Sequence, residues 1–344
     1  MPKLGSLKHT NETSIERSGH ICCCLPISVT GPYALNHRLN ATGSIVYKIR
    51  NGRGWADRFA WPSKLQEQTQ FVFETVLSSI VEEIRTNVEG KTFYIPDNIH
   101  YTLPATEKQF TGNLPSGSFV SVPDNLITGI HWKNTKKQRI DLDLSVIGES
   151  GKIGWDAEYR SGNKKVLFSG DITDAPLPNG ATELFYFKKW ISESRILLVN
   201  FFNFSPNTEV DCKLIVAHEK AKNFTSNYMV GINNMVAEAN MKISKKQTIL
   251  GLVTNRDGQN RVYFSNVSIG NSITSSNKEY SQHTRKFLVA ATENTIGFKK
   301  LLERAGAIVT DTIPEQEHIN LSPQALTKET FLNLLQKQVV EKSP

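Results

Sequence analysis

The stretch RIDLDLSV, residues 139–146, alternates apolar and polar positions without a break. In a β-strand Ile140, Leu142, Leu144 and Val146 fall on one face, and Asp141, Asp143 and Ser145 fall on the other. A helix would scatter both sets around its surface, so the period of two predicts a strand with one face in a core. The same grammar continues outward. From about Ser116 the chain reads as short strands separated by Gly, Pro, Asn and Asp: Phe119–Val122, Ile127–Trp132, Ile140–Ile147, Val166–Ser169, Leu184–Phe187, Ile196–Phe202 and Val210–Val216. Seven strands within about 100 residues is the density of an antiparallel β-sandwich. Ile196–Phe202 is nearly continuous apolar and reads as a central strand. Val210, Cys212, Leu214 and Val216 alternate as a half-buried one, which makes Cys212 a small core residue rather than a nucleophile.

The flanks read differently, and the expected class is α+β overall around a central antiparallel β-sandwich. Residues 1–43 are rich in Ser, Thr, Asn, Gly and His without a lasting period, so they read as a loosely ordered leader. Residues 44–115 read as a small β-β-α-β unit. Ile45, Tyr47 and Ile49 alternate, Asn51-Gly52 supplies a tight hairpin turn, and a return strand runs from about Trp55 to Phe59. Ser63 and Gln66 then form a capping box before a helix face of Phe73, Val76, Leu77, Ile80, Val81, Ile84 and Val88, stopped by Gly90. Strands near Thr92–Ile95 and His100–Leu103 complete the unit. Residues 116–220 hold the sandwich. Residues 221–344 hold a hairpin around Asp257-Gly258, flanked by Thr248–Thr254 and Arg261–Ile269, followed by helices. One helix opens on a second capping box at Ser276 and Glu279, with Phe287, Leu288, Ala291, Leu301 and Leu302 after it and Gly306 at the stop. The last carries Phe331, Leu334, Leu335 and Val339 on one face.

Composition narrows the function class. The 344 residues are 39% hydrophobic and 21% charged, which excludes collagen-like and low-complexity chains. No apolar run approaches the roughly 18 residues of a membrane span. The net charge of +7 is spread, with twelve basic against ten acidic residues in 1–114, thirteen against thirteen in 115–220 and fifteen against ten in 221–344. Pairs such as Lys245-Lys246 and Lys299-Lys300 do not make a concentrated basic face, so nucleic acid is not the expected partner. Cys22, Cys23 and Cys24 are adjacent and Cys212 stands alone, a pattern of neither a disulfide framework nor a zinc site. Metal binding or modification of the triple cysteine stays open. Pro26 interrupts the apolar run Ile21–Val29, and no usual cleavage site follows, so the expectation is a cytoplasmic protein without a signal peptide.

The chemistry concentrates where the fold signal is strongest. Two aspartates at i and i+2 of a strand lie roughly 7 Å apart on one side and call for a counter-charge. A hard cation on oxygen ligands supplies one, and Lys136, Lys137 or Arg139 is the alternative. A second acidic segment, Ser169-Gly170-Asp171-Ile172-Thr173-Asp174, follows some 25 residues later, with Glu183 beyond it at the entry to a strand. In order and spacing the runs DLDLS, GKIGWDAEY, LFSGDITDAP, GATELF and ILLVNFFNF resemble the TerD-like domain of the bacterial tellurium-resistance and stress-response family. The resemblance is closest to a longer multidomain branch with a segment like FYIPDNIHYTLPAT ahead of the domain, and it covers roughly residues 92–220.

That resemblance implies a calcium-binding β-sandwich whose site is formed by loops at one end of the sheets. Asp141 and Asp143 match the DLD carboxylates, and Asp171 matches the aspartate of the SGD turn. Asp174 and Glu183 are the further candidate Ca2+ ligands. The family's denser acidic cluster is missing, since a Pro-rich stretch separates Asp174 from Glu183, and one site is expected rather than two. None of the eight histidines has a nucleophile or HExxH context; His100 and His131 read as core-edge or surface residues, and Gly52-Arg53-Gly54 lacks a phosphate-loop lysine. The expected function is therefore a binding module of stress response rather than an enzyme, with an unidentified protein partner. Two alternatives remain: a metal-independent scaffold acting through the C-terminal amphipathic helix, and a hydrolase using the acidic cluster.

Overall fold

Pairing of the strands in a computed structural model assembles a mixed, sheet-rich fold. It describes residues 44–50, 53–59, 63–104, 110–189, 191–226, 228–270, 289, 292 and 295–336. The elements run β1 (Ser44–Arg50), β2 (Arg53–Phe59), α1 (Ser63–Val88), β3 (Thr92–Tyr94), β4 (Ile99–His100), β5 (Phe110–Thr111) and β6 (Leu114–Pro115). They continue through β7 (Phe119–Val122), β8 (Leu126–Trp132), β9 (Leu142–Gly148), β10 (Gly151–Gly154), β11 (Val166–Phe168), β12 (Ala181–Phe187), β13 (Arg195–Phe201) and β14 (Val210–His218). The chain ends with β15 (Met235–Ile243), β16 (Gln247–Arg256), β17 (Gln259–Gly270), α2 (Phe298–Arg304), β18 (Ile308–Thr310), β19 (Ile319–Asn320) and α3 (Lys328–Leu335).

Two antiparallel sheets dominate. One has seven strands in the order β10-β9-β13-β16-β17-β7-β4, the other five in the order β11-β12-β8-β14-β15. A continuous buried cluster draws Leu142, Leu144, Val146, Leu197, Val199 and Phe201 from the first sheet and Ile130, Trp132, Phe185, Phe187 and Leu214 from the second. The face of β9 that alternation assigns to a core is thus the face that is packed. Ile196, Leu198, Ile249, Leu252 and Tyr263 form a separate cluster on the opposite face of the seven-stranded sheet. Cys212 is buried at 3% exposure, and burial pushes its thiol well above the ordinary range, as a core residue requires.

The strand readings around β7 to β14 hold to within a few residues, and the hairpin β16–β17 forms where Asp257-Gly258 placed it. The hairpin is not an appendage: β16 pairs with β13, and β15 pairs with β14, so both sheets draw on chain beyond residue 220. β3 and β4 also part company. β3 is the middle of a parallel three-stranded sheet with β18 and β19, whereas β4 pairs with β7 at the edge of the large sheet. Hydrophobic alternation shows that a strand has a core face but not which strand it meets, and β3 meets two strands from the far C-terminal part of the chain.

α1 buries Leu77, Val81, Ile84 and Val88 of its predicted face, whereas Phe73 and Ile80 are half-buried and Val76 is exposed. On α3 Phe331 and Leu334 are buried, and Asn87 Nδ2 on α1 donates to Leu334 O at 3.1 Å and to Gln336 O at 2.6 Å. The apolar face of the last helix is therefore docked on its own chain. The leader with its three cysteines, the Asn51-Gly52 turn, Ser276, Glu279, Phe287, Leu288, Ala291 and Val339 lie outside the described residues.

Gly129 on β8 marks the closest approach of two backbones. A Cβ there would lie 2.0 Å from Glu183 O and 2.7 Å from Leu184 Cα on β12. Neither atom can move without parting the strands. We expect Gly129→Ala to cost about 1–3 kcal/mol, read as a lower urea midpoint with an unchanged slope.

Candidate metal centre

The site forms where the large sheet runs out of strands. β10 pairs with β9 from Gly148 to Ser145 and stops at Gly154, so Asp143 and Leu144 keep β13 on one side and no strand on the other. Glu183 fills the gap. It sits on β12 of the five-stranded sheet and is fully buried. Its Oε2 accepts from Leu144 N at 2.8 Å, and its Oε1 accepts from Ile172 N at 2.8 Å. One carboxylate thereby ties an unpaired strand edge to the loop that carries Asp171. That loop leaves β11 through Ser169, whose N–H donates to Leu184 O and whose Oγ accepts from Leu184 N. Gly170 follows at φ +122°, a conformation L side chains rarely adopt, and redirects the chain into Asp171.

Asp141, Asp143 and Asp171 converge: one carboxylate oxygen from each lies within 4.8 Å of the other two. Asp141 and Asp143 are buried, 3% and 2% exposed, although they lie on the face of the strand opposite its predicted core face. They do leave β9 opposite the inter-sheet face. β10 lies tight against β9 beside them, since a Cβ on Gly154 would lie 2.7 Å from Oγ of its cross-strand partner Ser145.

Polar atoms that lack a hydrogen-bond partner gather here. Asp141 Oδ1, Asp143 Oδ2, Ser145 Oγ, Trp155 Nε1 and Asn200 Nδ2 are all buried in this way. Asn200 is the cross-strand neighbour of Asp143, so their side chains share a face. Buried polar groups are satisfied in the great majority of cases, and a group of exceptions in one place asks for an ion or water.

The electrostatics point the same way. Burial pushes the Asp143 carboxyl up to about 8, aided by Asp141 and Asp171 and opposed by Lys152. Burial also pushes Asp141 up to about 6, aided by Asp171 and opposed by Arg139. Asp171 is raised by burial, and Glu183 is raised well above the carboxylate range by burial against the pull of its two N–H donors. The available cations compensate little. Among the described residues the ion pair reaching the three aspartates is Arg139 Nη2 to Asp141 Oδ2 at 3.8 Å, from an arginine 57% exposed. Lys152 instead pairs with Asp156 and lies over the Trp155 ring, 5.2 Å from its centroid. Lys136 and Lys137 are exposed.

Sequence-derived candidates are thus placed as follows. Asp141, Asp143 and Asp171 come together, and Glu183 adjoins them as the group that positions Leu144 and Ile172. Asp174 is exposed, and its Oδ1 accepts from Asn134 Nδ2 at 2.8 Å, outside the triad. His131 Nδ1 meets Thr182 Oγ1 at 3.0 Å, and the His100 ring stacks on Phe119 at 4.4 Å, both away from the acids. Sequence reasoning passed over Asn200. Its signal was available: it is the polar interruption in the apolar run ILLVNFF, residues 196–202.

An all-oxygen set of three carboxylates at hydrogen-bonding range of one point can hold a metal ion, and donors of this kind suit hard cations. No known family profile matches the chain, and no curated protein matches it.

Proposed function

We propose that this protein is a calcium-binding module of the TerD-like, tellurium-resistance type, acting in stress response through binding rather than catalysis. On this reading the seven- and five-stranded sheets are the two layers of a β-sandwich, and the acidic centre lies at one edge of it. The observation that carries the reading is the set of buried oxygens without partners, Asp141 Oδ1, Asp143 Oδ2 and Ser145 Oγ, beside a third carboxylate. Asp141, Asp143 and Asp171 hold the ion. Glu183 holds the strand edge and the Asp171 loop in place through their N–H groups. Ca2+ is favoured over Mg2+ because it accepts six to eight oxygens in irregular geometry, whereas Mg2+ demands a smaller octahedron.

Bound Ca2+ supplies positive charge that neutralises the aspartates and fixes the loops carrying them. The protein's residues orient that charge; nothing in their chemistry reduces or exports tellurite, so any resistance is indirect. A scaffold role through the C-terminal helix finds less support, because Phe331 and Leu334 are already buried.

The test is a thermal melt of the full chain in chelator, in Ca2+ and in Mg2+. A ligand at 100 times its dissociation constant adds about 2.7 kcal/mol, so Ca2+ raises the midpoint by several degrees and Mg2+ by less. A midpoint unchanged across millimolar Ca2+ removes the metal from the account.

A further inference from the structure

The surroundings of the acidic centre carry two features that holding an ion does not require. The first is the loop Lys133-Asn134-Thr135-Lys136-Lys137-Gln138-Arg139, which leads into Asp141 with four cations and no acid. All four cationic residues are exposed. A protein that merely needed to fill its anionic site would not place most of these charges in solvent. The second is a pair of apolar side chains exposed on separate segments beside the same centre, Tyr159 at 42% and Phe202 at 52%, with Leu177 at 53% on the segment that the basic loop binds. Phe202 N donates to Asp141 O at 3.0 Å, and the Tyr159 ring lies 3.9 Å from where a Cβ on Gly170 would stand. Both therefore flank the aspartates directly.

These segments are laced into one surface. Asn134 N donates to Ala175 O, Asn134 Oδ1 accepts from Ile140 N, and Asn134 Nδ2 reaches Asp174. On the other side Asn203 Oδ1 accepts from Asp141 N, and Asn203 Nδ2 donates to Arg139 O. The basic loop is thus fixed between the Leu177 segment and the Phe202 segment.

We infer that this end of the molecule docks on the surface of an anionic phospholipid bilayer, with the bound cation facing the headgroups. The inference rests on the calcium reading above. Charge complementarity selects the occupant: Ca2+ offsets most of the charge of the aspartates, and four exposed cations stand on the one loop that leads into them. The apolar groups stand on separate segments next to the basic loop. A bilayer interface accommodates aromatic and aliphatic tips among cations, the tips entering the headgroup boundary and the cations meeting the anionic surface. No helix among the described residues is long and apolar enough to cross a membrane.

The experiment is flotation of the full chain with vesicles of phosphatidylcholine alone, or three parts phosphatidylcholine to one part phosphatidylglycerol, in Ca2+ and in chelator. Calorimetric Ca2+ binding without vesicles runs in parallel. The expected result is binding to the anionic vesicles in Ca2+, and little to phosphatidylcholine or in chelator. Lys136→Gln with Lys137→Gln weakens that binding about 30-fold, and Phe202→Ala weakens it about tenfold, while both retain wild-type Ca2+ affinity. Ca2+ binding with no flotation overturns the docking inference and leaves the metal site standing. Flotation that is equal in Ca2+ and chelator, or on both lipid compositions, also overturns it. Absence of Ca2+ binding overturns the metal reading and the inference with it.

Discussion

Asp143→Asn stabilises the metal-free protein at pH 8 and removes its response to Ca2+, two effects of opposite sign at one residue. In the folded chain the Asp143 carboxyl is pushed up to about 8 from an ordinary value near 4. Below the unfolded value both states carry the proton and the native state bears no charge penalty. As pH rises toward 8 the unfolded chain releases its proton while the native one retains it, and stability falls through that window. Each unit of displacement corresponds to about 1.4 kcal/mol. Asp141, pushed up to about 6, adds to the loss over the lower part of the range. We expect metal-free wild type to lose several kcal/mol between pH 4 and 8 by this route, and Asp143→Asn to recover about 2–4 kcal/mol of it at pH 8. Ca2+ flattens the wild-type profile, since the ion binds the ionised form, and leaves the variant unchanged. Thermal melts across pH, with and without chelator, check both. A variant less stable than wild type at pH 8 in chelator contradicts the account of the site.

Glu183→Ala is the most damaging single change expected at the centre. Its two oxygens accept from Leu144 N and Ile172 N, so truncation of this fully buried side chain leaves one buried and one part-buried donor without acceptors and a cavity between the sheets. Each orphaned donor costs about 1–3 kcal/mol; burial raises the Glu183 carboxyl, so an acidic pH such as 5 limits the relief of buried charge on truncation. We expect a loss of about 3–5 kcal/mol in urea unfolding at that pH. Because Ile172 adjoins Asp171, Ca2+ affinity falls with it. Glu183→Gln, which keeps one acceptor and fills the space, loses less. A Glu183→Ala protein as stable as wild type at pH 5 removes the bridging role.

The sequence made one half of the site legible and hid the other. Alternation in residues 140–146 places Ile140, Leu142, Leu144 and Val146 on the core face and the two aspartates opposite, and the strand forms that way. Burial of those aspartates was not legible, because alternation gives the face a side chain takes and not what packs over that face. Glu183 reads as one more acid at a strand entry. Its role as a bridge depends on β10 ending at Gly154, a register fact that appears only when β9 and β10 pair. Asp174 shows the converse: proximity in sequence to Asp171 suggested a ligand, yet its side chain is engaged by Asn134. Likewise β18, three residues long, takes its strand character from β3 beside it.

The most direct measurement is calorimetric titration of Ca2+ into the full chain at pH 7, repeated in two buffers of different ionisation enthalpy. The account predicts one ion bound per chain and a net release of protons, because the Asp143 carboxyl at about 8 is mostly protonated before the ion arrives. Absence of binding heat, or binding that persists unchanged in Asp143→Asn with no proton released, contradicts it.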